Sequence, residues 1–183
     1  MKQVVLWLAL SLSGAAFAQP GGYYPSTPGK VWRYSSGEVQ AFVGFKTIRN
    51  TRVMTLQHTV NGKLVSEDYL EFASNGVYLR GSTTNGKLTW YDRPLMVYPA
   101  APLAPGTSWS SAARSGKDTV QLSARVVGQE GLELAAGRFN ALVIRTEVQT
   151  ASGGSSVVHS YFVPGVGTVR FVTEDGAAID LLK

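Results

Sequence analysis

Alternation of apolar and polar residues with a period of two runs through most of the chain. In residues 54–60 the side chains of Met54, Leu56, His58 and Val60 fall on one side of an extended segment. Residues 120–126 and 142–149 alternate in the same manner, with apolar positions separated by polar ones. This period is typical of β-strands that bury one face. The pattern therefore predicts an all-β protein with antiparallel strands.

Three Asn-Gly pairs divide the first half of the chain into strand-length segments. They are Asn61-Gly62, Asn75-Gly76 and Asn85-Gly86. The Asn-Gly dipeptide favours the positive φ angles that tight hairpin turns require. These positions predict a β-meander from about Thr51 to Tyr91.

Residues 132–144 are the segment where periodicity comes closest to a helix. Gly137 disfavours a helix at this point, and the run Leu142-Val143-Ile144 is rich in the β-branched residues that strands prefer. The segment is therefore predicted as strand.

One motif occurs twice. Residues 25–32 and 102–109 both spell P-x-x-P-G-x-x-W, beginning at Pro25 and Pro102 and ending at Trp32 and Trp109. Each copy predicts a Pro/Gly turn that enters a strand, on which a Trp covers one end of the core. The repeat predicts two related halves, at about 25–98 and 102–183, joined by the proline-rich segment Pro94–Pro105, since proline is excluded from central strands.

The predicted fold is thus an all-β single domain over 25–183, formed by a strongly curved antiparallel sheet or a partly open β-barrel of about ten to twelve strands. The chain has 183 residues and no cysteine. This composition excludes disulfides, thiolate-bound metals and a cysteine nucleophile. The domain must be held together by its core.

The N-terminus has the features of an export signal. Lys2 provides a positive charge, Val4–Leu12 are mostly apolar, and Ala16 and Ala18 are the small residues that a signal peptidase recognises. Residues 1–18 are therefore predicted to be a cleaved signal peptide, followed by a flexible lead-in at 19–24. Ser11, Ser13 and Gly14 interrupt an apolar run that is too short for a membrane anchor. The mature chain is expected to be exported, periplasmic or extracellular, without a transmembrane anchor.

The formal net charge is +5, from 17 basic and 12 acidic residues. The basic residues are scattered along the chain, whereas nucleic-acid binding requires a basic cluster. No nucleic-acid partner is predicted.

Few residues have the arrangement that catalysis or metal binding requires. The two histidines, His58 and His159, lack metal-ligand spacing, and no G-x-S-x-G pentapeptide or phosphate-binding glycine pattern occurs. His58 shares a face with apolar residues and is interpreted as a hydrogen-bonded histidine in or near the core. Ser160 and His159 are neighbours in a strand and point to opposite faces, so they cannot form a dyad. No metal, cofactor or catalytic residue is predicted; acid–base chemistry remains an alternative through the carboxylates Glu67, Asp68, Glu71, Asp92, Glu174 and Asp175.

Aromatic residues concentrate near strand ends and in the motif copies. Most are expected to form the core, but a curved sheet also has a concave side on which such residues bind apolar ligands. The predicted ligand-binding residues are Trp32, Tyr34, Trp109, His159 and Tyr161, with Trp32 and Trp109 at related positions around one cavity.

Three motifs resemble those of a bacterial family of exported domains of unknown function. Pro25, Gly29, Trp32 and Tyr34 match its P-x-x-x-G-x-x-W-x-Y entry, Gly137 and Phe139 match its P-A-G-x-F turn, and Tyr161–Val169 match its Y-F/A-P-G-V-G-x-V segment. Ala135 departs from the family, which usually has proline there. The resemblance implies a curved antiparallel sheet or an incomplete barrel, similar in outline to envelope lipid and lipoprotein carriers.

The sequence is compatible with three functions. The first is a non-enzymatic domain of the cell envelope that binds an apolar small molecule or lipid in its concave face. The second is a structural or protein-interaction module of the envelope, which binds an envelope protein through a sheet edge or a flat face. The third is a hydrolase of envelope sugars or esters.

Overall fold

The computed structural model describes residues 23–183, and the predicted signal peptide and most of the predicted lead-in lie outside them. Twelve strands form two six-stranded antiparallel sheets that do not close into a barrel. The prediction of a curved all-β fold is confirmed. The strands are β1 Val31–Arg33, β2 Glu38–Ile48, β3 Thr51–Val60, β4 Lys63–Ala73, β5 Gly76–Thr84, β6 Lys87–Pro99, β7 Ser108–Ser115, β8 Asp118–Leu134, β9 Gly137–Thr150, β10 Ser155–Val163, β11 Gly167–Thr173 and β12 Ala178–Asp180.

Each sheet is a meander in which neighbouring strands are also consecutive in the chain. The first sheet contains β1 to β6 and the second contains β7 to β12, so the division between them falls in the predicted proline-rich crossover. At one side the sheets meet through a bridge between Tyr34 and Leu181, reinforced by the N–H of Leu182, which donates to the carbonyl of Arg33 over 2.7 Å. At the other side β6 and β7 are joined by side chains: the N–H of Met96 donates to Ser111 Oγ over 3.0 Å.

The three Asn-Gly pairs lie at the hairpin connections of the first sheet, as predicted. Asn61 and Asn85 have φ angles of 51°, each followed by a glycine with positive φ. Gly76 differs, because it already belongs to β5 and its missing side chain leaves room for the carbonyl of Tyr98 on β6.

The repeated motif begins each sheet with the same turn. Gly29 and Gly106 have φ angles of 85° and 93°, which favour glycine. The N–H of Gly29 donates to the carbonyl of Phe42, and the N–H of Gly106 donates to that of Val126. Both acceptors immediately precede a β-bulge in the second strand of their sheet. The two halves are therefore alike in how their first strands start, while their duplication stays a prediction.

Residues 132–144 form strands, as predicted, but they also contain a turn. β8 ends at Leu134, and β9 begins at Gly137, which has a φ of 140°. The turn between them is the segment that resembles the P-A-G-x-F motif.

Two groups of buried residues form the core. The Phe162 cluster contains Tyr24, Val77, Leu103, Leu122, Ala124, Val126, Leu142, Ile144 and Phe162. The Trp32 cluster contains Trp32, Tyr34, Phe42, Met54, Leu132, Ala141, Val169 and Leu181. Both draw residues from the two sheets.

The predicted flexible lead-in is wrong at its last two residues. Tyr24 is 5% exposed, and its hydroxyl donates to the carbonyl of Pro99 over 2.7 Å. The hydroxyl of Tyr23 accepts a hydrogen bond from the N–H of Leu103. Both rings pack against Phe162, and this contact orders the segment. The polar, Gly/Pro-containing residues that precede the two tyrosines did not indicate this contact.

Candidate functional site

An apolar cavity of about 100 Å³, partly open to solvent, lies between the two sheets. Trp32 and Tyr34, two of the predicted binding residues, line it. The remaining lining residues are Tyr24, Pro25, Gln40, Phe42, Leu56, Leu70, Phe72, Val77, Tyr98, Phe162, Gly167 and Thr168. Gln40 and Thr168 are the members with neutral polar, non-aromatic side chains.

Trp32 and Tyr34 are held in place by the turn between β10 and β11. Trp32 Nε1 donates to the carbonyl of Val166 over 2.8 Å, and the Tyr34 hydroxyl donates to that of Thr168 over 2.9 Å. Gly167 leaves room for the indole, since a Cβ there would lie 3.0 Å from Trp32 Nε1. The first and third family-like motifs are therefore in direct contact and together build one wall of the cavity.

A further part of the cavity wall comes from the inner face of the first sheet. Phe42 on β2, Leu56 on β3, and Leu70 and Phe72 on β4 point into the cavity, with Tyr98 of β6 beside them. The sequence pattern does not indicate a binding role for these residues. Their alternation shows a buried face, but the register that brings them together is set by bulges in β2, β4 and β5.

A row of polar side chains continues this inner face beyond the cavity. Gln40 Nε2 donates to Glu38 Oε1 over 2.9 Å. Glu38 Oε1 also lies 2.8 Å from His58 Nδ1, and His58 Nε2 lies 3.2 Å from Asp68 Oδ2. His58 is thus hydrogen-bonded at the margin of the core, as predicted, with 17% of its side chain exposed. We call Glu38, His58 and Asp68 the acid–histidine cluster.

The two carboxylates control the charge of His58. Burial lowers its pKa, but hydrogen bonds and charge interactions with Asp68 and Glu38 outweigh burial and raise the pKa to about 9. The hydrogen bond from His58 in turn lowers the pKa of Glu38. At neutral pH the imidazole is therefore a cation that donates both of its N–H groups, and the acid–histidine cluster carries one net negative charge.

The buried tyrosines around the cavity remain neutral. Burial raises the pKa of Tyr34 and of Tyr98 above the usual range for a phenol. Burial also lowers the pKa of Lys30, whose Nζ donates to the carbonyl of Gly165 at the same turn that Trp32 contacts. Lys30 does not line the cavity, and none of the lining residues has a charged side chain.

The expectation that Trp32 and Trp109 surround one cavity is wrong. Trp109 lies on β7 and packs against the Phe162 cluster, and its Nε1 is buried without a hydrogen-bond partner among the described residues. Tyr161 packs against the Trp32 cluster, and His159 lies on β10 opposite Arg145 and Val172. None of these three lines the cavity. The repeat places each Trp on the first strand of its sheet, but the side chains that surround the two Trp residues differ.

The described residues give little support for acid–base catalysis. Both ring nitrogens of His58 are occupied by carboxylates, which leaves no nitrogen to deprotonate a nucleophile. Glu67 and Glu71 form ion pairs with Lys46 and Arg80, and Asp92 accepts the N–H groups of two backbone residues. These contacts are those of structural ion pairs and caps.

Within residues 23–183, no group of three or more acidic, histidine or cysteine side chains is placed to hold a metal ion. That part of the chain also contains no helix with the length and apolar character needed to cross a membrane.

Comparison with known proteins adds one distant structural likeness. No protein-family model and no curated protein matches the chain. A solved structure from Parabacteroides distasonis, described as a "putative lipoprotein", aligns over 86% of this chain and 95% of that chain, with 13% identity and a TM-score of 0.46. At that distance the likeness carries no argument about function.

Proposed function

We propose that this protein is a non-enzymatic, exported domain of the cell envelope that binds a small apolar group in the cavity between its sheets. The observation that carries the proposal is the aromatic and aliphatic lining of that cavity, which includes Trp32, Tyr34, Phe42 and Leu56. The export signal predicted at residues 1–18 supports the envelope location.

The size of the cavity limits the ligand. Its volume of about 100 Å³ is smaller than the roughly 150 Å³ of an engineered apolar cavity that accepts benzene. A whole acyl chain is too large, whereas the end of an alkyl chain or a small ring fits with slight adjustment.

The polar neighbours of the cavity favour a ligand with one apolar and one polar end. Gln40 lines the cavity and contacts Glu38 of the acid–histidine cluster. An apolar group in the cavity then leaves its polar end near an amide and a negatively charged cluster. This arrangement favours a neutral or cationic head over a free carboxylate.

Native mass spectrometry of protein purified from its own host tests this proposal. Wild type is expected to carry a bound small molecule. Leu56→Phe, which adds volume inside the cavity, is expected to lose it, whereas Val43→Phe is the matched control because Val43 is 52% exposed on the neighbouring strand.

A second measurement applies if wild type is isolated without a ligand. Benzene and short-chain alcohols are then titrated while methyl resonances of Leu56 and Leu70 are followed by NMR. Saturable shifts that Leu56→Phe removes support the proposal. Absence of both a bound molecule and saturable shifts overturns it.

A further inference from the structure

The outer face of the second sheet carries a row of basic side chains that the cavity does not use. The strand register places Arg125 of β8 directly opposite Arg145 of β9, and Arg145 directly opposite His159 of β10. Ser108 of β7 is opposite Arg125 on the other side. We call Arg125, Arg145 and His159 the basic row.

All three side chains of the basic row lie on the face opposite the core. Arg125 stands between Ala124 and Val126, which are buried in the Phe162 cluster, and Arg145 follows buried Ile144. Neighbouring residues in a strand point to opposite faces, so Arg125 and Arg145 point outward. His159 shares their face because it is paired with Arg145.

Two arginines placed directly opposite each other across a ladder repel, since their Cβ atoms are about 5 Å apart. Arg145 is partly compensated by Glu147, whose Oε2 lies 3.0 Å from Arg145 Nη1. Within residues 23–183 no acidic side chain forms a salt bridge with Arg125. The basic row therefore has an excess of positive charge that an anion would neutralise.

Hydroxyl groups surround this charge. Ser108, Ser110 and Ser123 line a groove on this part of the second sheet together with Arg125 and Arg145. Ser110 and Ser123 are themselves directly opposite each other, two pairs along the ladder from Arg125 and on the same face. The groove has a volume of about 390 Å³, which is enough for a phosphate group and part of the molecule that carries it.

We infer that Arg125, Arg145 and the serines of this groove bind a phosphate group, while His159 extends the basic row outside the groove. Guanidinium forks match the oxygens of phosphate in a bidentate manner, and serine hydroxyls add donors of the kind that phosphate accepts. Glu147 tunes the site by holding Arg145 and is the one carboxylate that an anion meets there. The site is independent of the apolar cavity, which lies between the sheets.

The test is an NMR titration of the mature protein with inorganic phosphate at constant ionic strength. Saturable shifts are expected at the amides of Ser108, Arg125 and Arg145. Arg125→Gln is expected to weaken binding about tenfold, and Arg125→Lys, which keeps the charge but loses the fork, is expected to weaken it by less. Arg138→Gln is the control, because it removes the same charge from an exposed residue at the start of β9.

Vesicles distinguish a free phosphate from a lipid headgroup. Co-sedimentation is measured with phosphatidylglycerol vesicles and with phosphatidylcholine vesicles, with wild type, Arg125→Gln and Arg138→Gln. Phosphatidylglycerol binding that Arg125→Gln alone reduces identifies a lipid headgroup as the source, and phosphate binding without vesicle binding identifies a soluble one. Equal losses in Arg125→Gln and Arg138→Gln, or no saturable effect of phosphate, overturn the inference.

Discussion

Trp32 and Trp109 occupy equivalent positions in the two copies of the motif. Replacing each with phenylalanine therefore measures the contribution of one hydrogen bond to the free energy of unfolding. Both follow the same Pro/Gly turn, and both enter the first strand of a sheet. Trp32 Nε1 donates to the carbonyl of Val166, whereas Trp109 Nε1 is buried without a partner among the described residues. The two substitutions remove the same atoms but only one hydrogen bond.

The expected difference follows from that contrast. In Trp32→Phe the carbonyl of Val166 loses its partner at a partly buried site, which costs about 1–2 kcal/mol beyond the lost packing. In Trp109→Phe a buried donor without an acceptor disappears, and about 1 kcal/mol of the packing loss is offset. Trp32 is also the more buried, at 6% exposure. Trp32→Phe is therefore expected to be about 2 kcal/mol more destabilising than Trp109→Phe.

Urea denaturation followed by far-UV circular dichroism measures this difference without relying on tryptophan fluorescence. For a domain of this size, 2 kcal/mol corresponds to about 4–8 °C in Tm, which thermal unfolding checks. Both variants must keep the m-value of wild type for the comparison to hold. A Trp109→Phe protein as destabilised as Trp32→Phe would refute the assignment of the hydrogen bond as the source of the difference.

Two further predictions concern the first sheet. The free energy of unfolding of wild type relative to His58→Gln should fall by about 2–3 kcal/mol between pH 6 and pH 10. The pKa of His58 is raised in the folded state, so its contribution to stability is complete below about pH 6.5 and is lost as the pH passes about 9. Urea denaturation of both proteins at a series of pH values measures this difference, and a difference that does not change with pH contradicts the hydrogen bonds to Glu38 and Asp68. Gly81→Ala should destabilise the protein by about 2 kcal/mol, because the added Cβ would overlap the backbone of β6. Gly131→Ala should change stability by less than about 0.5 kcal/mol, because no atom lies within 4 Å of the position that its Cβ would take. Equal unfolding midpoints for the two variants would contradict the close approach of β5 and β6.

The local pattern of the chain was sufficient for the fold class. Alternation around Met54 and around Leu122 depends only on the geometry of an extended backbone, and the Asn-Gly pairs depend only on local φ preferences, so each is visible without any long-range contact. The repeated turn at Gly29 and Gly106 was visible for the same reason. These features determined an all-β protein with a β-meander in its first half, whereas the division into two meandering sheets came from the tertiary structure.

The lining of the cavity depended on tertiary structure, because strand register decides which side chains meet. The sequence suggested Trp32 and Tyr34, which line the cavity, and it also suggested Trp109, His159 and Tyr161, which do not. A β-bulge reverses which residues face inward, and bulges follow Phe42 in β2 and Val126 in β8.

Pairing across strands decided the polar features as well. Glu38 and Asp68 are thirty positions apart in sequence, and only the alignment of β2, β3 and β4 places them on the two sides of His58. Scattered charges likewise gave no sign of a basic patch, until the ladder aligned Arg125 with Arg145. The sequence alone therefore determined the strands and their turns. The tertiary structure decided which side chains line the same cavity, form the same charged cluster or lie on the same surface, because those contacts depend on strand register.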